Sequence, residues 1–554
     1  MMEAPPIDTG ASNIVATVSD SASSVEKQSE MPRESMHETI ADFFRGRFVF
    51  VTGGTGFIGK VLIEKILRCC PEVAGVYVLM RPKKDRSPFQ RGEDLCSCPI
   101  FKALRDAHPH FTEKVLVLSG DINEEDFGLH EDSLQRVVSD VSVVFHAAAT
   151  VRFDEHLKQA VRMNLQGVQK LLHICRKMKK LKALVHVSTA YANCNRNHIE
   201  EIVYQPSVDP ERLMELIDWL PDDAVQAMTP HLLKSMPNTY TFTKGLAEYY
   251  ILKHGSDLPL AIVRPSIVGA AWKEPIPGWI DNCNGPSLLF IATGKGFLRS
   301  MIGEGSAVAD VVPVDITVNL MIAAAWRTSQ LAGTSGISEL TVYNCTTGSV
   351  NPLRWVDIGN IVPNSFKKNP LELAWRRPNM SFTTNPLMYN YWTSVSHLLP
   401  AYITDMVLRL VGKKPRLVRT FNKIHKAAES LGYFTTNQWN WPGFNIAALM
   451  HEMHKGDQQT FYLDTRDLNW TSYLEDYCLG AKRFILHEDI DNLPRARQHL
   501  RRLQILRYVL NTVLIAMLWR FLVANSHLAG GLWYMVLNLV FKFVRFFRVT
   551  SSSR

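Results

Sequence analysis

One stretch near the amino terminus limits the possible folds more than any other. A five-residue apolar run, Phe48–Thr52, leads directly into Gly53-Gly54-Thr55-Gly56-Phe57-Ile58-Gly59, and a helical pattern follows from Lys60. A β-branched and aromatic run reads as a strand. Gly53 permits a tight turn, Gly56 lets backbone approach a pyrophosphate, and Gly59 lets helix and strand pack closely. The helix then directs its free amides and positive dipole end at phosphate groups. Isolated glycines at this spacing would be only a turn. Set between strand and helix they specify a dinucleotide site, with Thr52, Gly53, Gly56, Phe57, Ile58 and Gly59 as its first contacts.

The rhythm continues past this unit. Short apolar runs at Phe48–Thr52, Gly75–Met80, Val115–Ser119, Val141–His146, Ala183–Ser188 and Leu260–Arg264 alternate with helical stretches such as Val61–Arg68 and Val161–Met178. Such alternation implies an α/β fold, a Rossmann-type doubly wound parallel sheet covered on both faces. A proline-rich interval, 193–238, interrupts it and is too long for a plain connection, so it reads as a functional insertion or lid. Beyond Pro352 aromatic and basic residues replace the repeat. The expected organisation is a disordered leader over 1–45, a nucleotide-binding domain over 46–355, a smaller, mostly helical domain over 356–490, and a basic tail over 491–554.

The 554-residue chain carries a formal charge of +8, and no Asp or Glu follows Asp491. The arginines there alternate with apolar stretches, Tyr508–Ala524 and Leu528–Val544, which meet at Asn525-Ser526-His527. Basic charge among apolar residues points to an anionic membrane surface, not to nucleic acid. Charge at both ends of the pair favours a hairpin with both ends cytosolic, not necessarily crossing fully because Arg520 must snorkel, with a single span as the alternative. Leu387–Val411 is also apolar, but Asn390, His397, Asp405 and Arg409 make it too polar for a span. It reads as an interfacial or substrate-lining helical stretch. The nine cysteines form no zinc-ligand spacing, so no metal site is expected, and they fit a reducing compartment. The Ser- and Pro-rich leader lacks the basic-then-apolar run of a secretory signal.

The second strand ends in Arg81-Pro82-Lys83. A carboxylate at that position would accept a ribose hydroxyl, whereas Arg81 and Lys83 suit the 2′-phosphate of NADPH. Tyr240 and Lys244 stand at i, i+4 and share one helical face. There the lysine charge could lower the phenol pKa and the phenol could protonate a developing alkoxide. Ser188 and Thr189 follow the fifth strand, where a hydroxyl could polarise a carbonyl.

Together these segments resemble the extended short-chain dehydrogenase/reductase superfamily, and within it the animal, insect-type fatty acyl-CoA reductases. The resemblance runs from about Gly46 to the tail. It rests on the glycine loop, Arg81–Lys83, Gly120–Ile122, His146–Phe153, Val187–Tyr191, Tyr240–Lys244 and Val263–Ser266, and also on Pro277–Asn282, Asp310–Asp315, Trp439–Phe444 and Asp467–Trp470. It implies that Asp121 and Ile122 flank an adenine, that Ala147 and Ala148 line the cofactor, and that Asn164 and Pro265 complete its contacts. It further implies that Tyr240 is the proton donor, that Lys244 also bonds the nicotinamide ribose, and that Thr189, with Ser188 as the alternative, is the catalytic hydroxyl. The 193–238 insertion would cover an acyl chain.

The activity implied is NADPH-dependent reduction of long-chain fatty acyl-CoA to a primary alcohol, through an aldehyde, supplying alcohols for wax or ether lipids. Its partners would be acyl-CoA and membrane lipid, at the endoplasmic reticulum or peroxisome with the catalytic part cytosolic. A membrane-bound reductase of sterols or nucleotide sugars, or a silent NADPH-binding scaffold, would share the cofactor domain. Oligomeric state is not legible.

Overall fold

The computed structural model describes residues 38–83, 85–335, 340–525 and 527–551. Its centre is a seven-stranded, all-parallel sheet. Six strands follow the expected runs: β1 (Phe48–Thr52), β2 (Gly75–Met80), β3 (Val115–Ser119), β4 (Val141–His146), β5 (Ala183–Val187) and β6 (Leu260–Pro265). Four short strands lie outside this sheet: β7 (Ile267–Gly269) pairs with β9 (Val311–Pro313), and β8 (Ser300–Ile302) with β11 (Ser381–Thr383). The seventh strand of the main sheet, β10 (Thr341–Cys345), was not anticipated and gives the order β10-β6-β5-β4-β1-β2-β3. Every residue of β2, β4 and β6 is buried, which explains why these runs are continuously apolar instead of alternating. The order reverses between β1 and β4, and a doubly wound sheet binds its ligand at that switch point.

Three expectations change. The leader is shorter than 45 residues: Ile40–Phe44 is a helix, capped by the Thr39 side chain, and Ile40, Phe43 and Phe44 are fully buried in the main core. Residues 1–37 lie outside the described residues. The glycine-loop helix begins at Phe57, one turn earlier than Lys60. The chain also does not part near 355, because 39–554 forms one compact unit. The reason is shared packing: Trp355, Ile358 and Phe366 join Phe290, Tyr473 and Tyr477 in one apolar cluster.

The 193–238 insertion holds two helices, Pro210–Trp219, capped by Asp209, and Asp222–Leu233. Leu213, Met214, Ile217 and Val225 bury against the outer side of the helix Thr239–His254, in the cluster that contains Phe242 and Leu246. At the other end of the chain the helices Leu493–Asn525 and His527–Ser551 run back on each other, with Trp519 and Trp533 edge to face at 5.6 Å. Leu493–Asn525 contains a window long and apolar enough to cross a membrane and wholly exposed, whereas the return limb offers only the shorter apolar stretch Gly530–Phe543.

Candidate active site

The glycine loop closes onto the switch point. Gly53 has φ +75°, and a Cβ there would lie 2.7 Å from backbone atoms of Ala147 and Ala148. At Gly59 a Cβ would stand 2.3 Å from the Gly53 carbonyl oxygen. Side chains at either position would therefore push apart β1, the following helix and the loop after β4. Gly56 caps the helix Phe57–Cys69 with no side-chain acceptor, and the first turn carries no acid. The amides of Phe57, Ile58 and Gly59 are thus at the end where an anion belongs. This cradle fits a dinucleotide pyrophosphate.

Thr52 is fully buried. Its hydroxyl is hydrogen-bonded to His146 Nδ1 at 2.8 Å and accepts the Ala148 amide at 3.3 Å. It therefore braces β1 to β4 beneath the cradle instead of reaching into it. Burial holds His146 neutral, with its pKa pulled down to about 3.

Beyond β2 and β3 lies a cleft of about 580 Å³ bordered by Arg81, Pro82, Lys83, Gly120 and Asp121. Arg81 faces Asp121 at 3.5 Å. Ile122 is buried beneath the cleft beside Phe127. Here sequence reasoning missed Arg91. Its helix, Pro88–Cys96, brings the guanidinium back to the loop, where it donates to the Thr55 hydroxyl at 3.1 Å and to the Arg81 carbonyl. Burial and repulsion from Arg81 hold the Arg91 pKa below its usual value. Two guanidinium groups thus stand together beside the glycine loop and the cleft beyond β2.

Asn164 does not reach the cofactor cleft. Its amide nitrogen donates to the Thr150 carbonyl and the Thr243 hydroxyl, and its oxygen accepts the Thr150 amide at 3.0 Å. It sits in a π-helical turn, Arg162–Gln166, and ties the loop after β4 to the helix Thr239–His254. A π-bulge of this kind turns a side chain into such a role.

The helix Thr239–His254 starts under an Asn238 cap, whose oxygen accepts the Thr241 amide at 2.9 Å. Tyr240 enters its first turn. Burial pushes the phenol up to about 12, and the Thr189 hydroxyl, hydrogen-bonding to it, opposes that rise. One turn on, burial pulls the Lys244 ammonium down to about 8, opposed by Glu248. Lys244 Nζ donates to the Val187 carbonyl at 2.7 Å. The expected lowering of the phenol by Lys244 is not found: burial leaves the phenol raised, Thr189 is what opposes that rise, and the lysine is held by the end of β5.

Ser188 and Thr189 point in different directions. Ser188 Oγ donates to Glu248 Oε1 at 2.5 Å in a buried network with Arg264. Thr189 faces a cavity of about 150 Å³ together with Tyr240, Phe153, Leu289, Trp355 and Phe434. Its hydroxyl also lies 3.5 Å from the Pro265 carbonyl, which places Pro265 at the same end of the sheet.

The cavity walls come from far along the chain. Leu431, Phe434 and Thr435 close one side, and Gly285, Pro286 and Leu289 another. The 193–238 insertion, expected to cover an acyl chain, contributes no wall residue to this cavity. Its apolar face is already buried against the helix behind Tyr240. What clamps the loop after β5 is aromatic: Trp441 Nε1 donates to the Ala190 carbonyl, while the Tyr433 hydroxyl and Trp439 Nε1 both donate to the Cys194 carbonyl. Burial pushes the Cys194 thiol up to about 12, the opposite of the shift an activated thiolate needs.

The motif Pro277–Asn282 braces the cradle from behind. Trp279 stacks on Phe57 at 5.4 Å, and Asp281 pairs with Lys60 at 2.6 Å. In the motif Asp310–Asp315, Asp310 accepts the Ser266 hydroxyl and the Thr347 and Gly348 amides, pinning the turn after β6. Asp315 accepts the amides of Trp272, Lys273 and Glu274.

Two family models, both described as male sterility protein, match the chain: an NAD-binding model over residues 51–321 and a second over 396–488. Fatty acyl-CoA reductase 1 of Gallus gallus is 47% identical over 516 residues, covering 93% of this chain and 99% of that protein. The Homo sapiens fatty acyl-CoA reductase 1 is 46% identical with the same coverage. Fatty acyl-CoA reductase 2 of Bos taurus is 43% identical over 513 residues, 93% of this chain and 99% of that protein. Among solved structures, the reductase domain of a non-ribosomal peptide synthetase from Mycobacterium tuberculosis superposes with a TM-score of 0.52. It is 15% identical and covers 80% of this chain and 92% of that one. The terminal R domain of the myxalamid biosynthetic pathway gives 0.51 at 16% identity, over 79% and 90%. Those two establish the shared fold.

Proposed function

The chain belongs to the fatty acyl-CoA reductase family, and from that premise we propose that it reduces long-chain fatty acyl-CoA to a primary alcohol with NADPH as reductant. The observation that carries the reading is the position of Thr189 and Tyr240. Their hydroxyls meet at the mouth of an apolar cavity, at the end of the sheet where the glycine cradle lies. A nicotinamide cofactor follows from the NAD-binding family match and the cradle. The preference for NADPH rests on Arg81, Lys83 and Arg91.

NADPH held by the glycine cradle, Arg81 and Lys83 would supply the hydride for each of two rounds of reduction at the acyl carbon. In the first round Thr189 and Tyr240 hydrogen-bond the thioester oxygen as it gains charge, and the resulting hemithioacetal breaks its C–S bond to release CoA thiol and leave an aldehyde. In the second, Tyr240 gives its phenolic proton to the alkoxide oxygen. Lys244, placed one turn behind and charged below about pH 8, would favour the tyrosinate that results through its charge. The balance is one acyl-CoA, two NADPH and two protons giving one alcohol, one CoA and two NADP⁺. Phe153, Leu289, Trp355 and Phe434 exclude water from the reacting carbonyl.

The tail would hold the catalytic part on the cytosolic face of the endoplasmic reticulum or peroxisome, where acyl chains and alcohols partition. The test is product analysis with acyl-CoAs of several lengths, using NADPH and NADH in parallel. Long-chain alcohol with NADPH, and none from Tyr240→Phe, is the expected result. Alcohol formed at the normal rate by that variant would overturn the acid assignment, and equal use of NADH would overturn the cofactor preference.

A further inference from the structure

The segment that looked too polar to cross a membrane is polar on the inside and apolar on the outside. Pro386–Trp392, Thr393–Leu398 and Leu399–Leu410 are consecutive helical pieces. Their inward side is hydrogen-bonded: the Tyr389 hydroxyl to His425 Nδ1, the Arg299 amide to His397 Nε2, and the Arg416, Leu417 and Val418 amides to the Asp405 carboxylate. Asp405 thereby caps the next helix, Leu417–Ser430. The outward side presents Leu387, Tyr391, Tyr402, Ile403, Met406 and Leu410, each more than half exposed, with Leu387 and Leu410 at 80% and 79%. Such an apolar face needs an occupant.

We propose that this face lies in the headgroup–acyl boundary of an anionic bilayer as an in-plane helical segment, a membrane contact separate from the carboxy-terminal helices. Two observations choose lipid over a second copy of the chain. The first is charge: Arg409, Lys413, Lys414, Arg416 and Arg419 are all exposed at the carboxy-terminal end of the segment, as anionic headgroups require. The second is continuity with the tail. Arg507, immediately before the apolar stretch at Tyr508, stands close enough for its charge to act on Arg299 and Arg376. Both of those donate to Ser396, one to its hydroxyl and one to its carbonyl. The start of the tail's apolar stretch and the middle of the segment therefore share one place on the molecule.

The consequence concerns substrate entry, and it rests on the acyl-CoA reading above. The helix Leu417–Ser430 packs under the segment and runs into Leu431 and Phe434, which wall the cavity at Tyr240. A bilayer held against the outward face is thus one helix away from the acyl end of that cavity, and the acyl chain enters from the membrane.

The full-length chain is reconstituted in phosphatidylcholine vesicles containing about one-fifth phosphatidylserine. A diazirine side chain is placed at Ile403, at Leu518 in the tail, and at the remote exposed Glu113. Lipid adducts at Ile403 and Leu518 but not at Glu113 are expected. Adducts at Leu518 alone, or adducts from Ile403 to a second copy of the chain, would overturn the proposal. In parallel, Ile403→Glu/Met406→Glu/Leu410→Glu alters only exposed positions. KM for a vesicle-borne long-chain acyl-CoA should rise about tenfold, while turnover of a short, water-soluble acyl-CoA stays within about twofold. Equal losses on both substrates would overturn entry from the membrane. If the unaltered protein reduces neither substrate, the acyl-CoA reading and the entry route that rests on it fail together, and the adducts still decide the membrane contact.

Discussion

Arg264 and Glu248 form an ion pair at 2.7 Å whose side chains are 0% and 1% exposed. Arg264 also donates to the Glu200 and Ile202 carbonyls, so the pair ties the insertion to the helix that carries Tyr240 and Lys244. Removing one charge leaves the other buried without an opposite charge, held only by neutral hydrogen-bond partners. Glu248→Gln should therefore cost about 3–5 kcal/mol of stability, read as a lower urea midpoint. An unchanged midpoint would mean that water compensates Arg264.

The same carboxylate raises the Lys244 pKa, which burial pulls down to about 8. The lysine is charged below that value and loses its proton above it. Since a charged Lys244 supports proton donation from Tyr240, kcat/KM should be flat near neutrality and fall above about pH 8. In Glu248→Gln the fall should begin at lower pH, because the opposing charge is gone. Stopped-flow NADPH oxidation across pH 6–10, in the range about the ordinary lysine and histidine values, checks both limbs. An alkaline limb that does not move in the variant would count against Lys244 as the titrating group.

Thr189 and Ser188 are adjacent, yet only Thr189 faces the cavity while Ser188 is spent on Glu248. Thr189→Val should lower kcat about a hundredfold or more with little change in NADPH binding, since it removes a donor to the developing oxyanion. Ser188→Ala should mainly cost stability, about 1–3 kcal/mol for a buried carboxylate oxygen that loses one of its two donors and keeps only Arg264 Nε. The opposite pattern in steady-state kinetics would reverse the assignment.

Arg91 donates to the Thr55 hydroxyl beside the glycine loop and is repelled by Arg81. A 2′-phosphate between them would relieve that repulsion. Arg91→Ala should raise KM for NADPH about tenfold or more and leave KM for NADH nearly unchanged. A parallel rise for both cofactors would place Arg91 in loop packing alone.

What could be read beforehand follows from how far along the chain each part is built. The glycine loop, Arg81 and the Tyr240–Lys244 pair are local, each carried by one strand–helix unit, so their spacing displays their geometry. Arg91 could not be placed because only the turn between β2 and its helix brings it back over Thr55. Leu431 and Phe434 sit more than 180 residues from Tyr240 in sequence, so no pattern near the motif announces the cavity wall. Asn164 matched a family position, but only the π-helical turn shows that its amide is fully spent on Thr150 and Thr243. Asp405 and His397 argued correctly against a membrane span, and the reason became visible only when both proved to point inward.

The tail gives the last prediction. Leu493–Asn525 can cross a bilayer by length and composition, whereas Gly530–Phe543 is shorter, about 21 Å as a helix against a hydrocarbon core of about 30 Å. The two helices nevertheless pack against each other at Trp519 and Trp533, which brings the chain back toward its start. Arg520 lies near that contact, and Lys542, Arg545 and Arg548 close the return limb. Two antiparallel limbs with basic residues at both open ends are most stable as a hairpin dipping into one leaflet or a little beyond, both ends facing the cytosol. A tag fused after Arg554 should then be digested by protease added outside sealed microsomes, while a lumenal marker survives. If the tag survives until detergent is added, Leu493–Asn525 is a single span, and the packing of the second limb must be remade on the far side of the membrane.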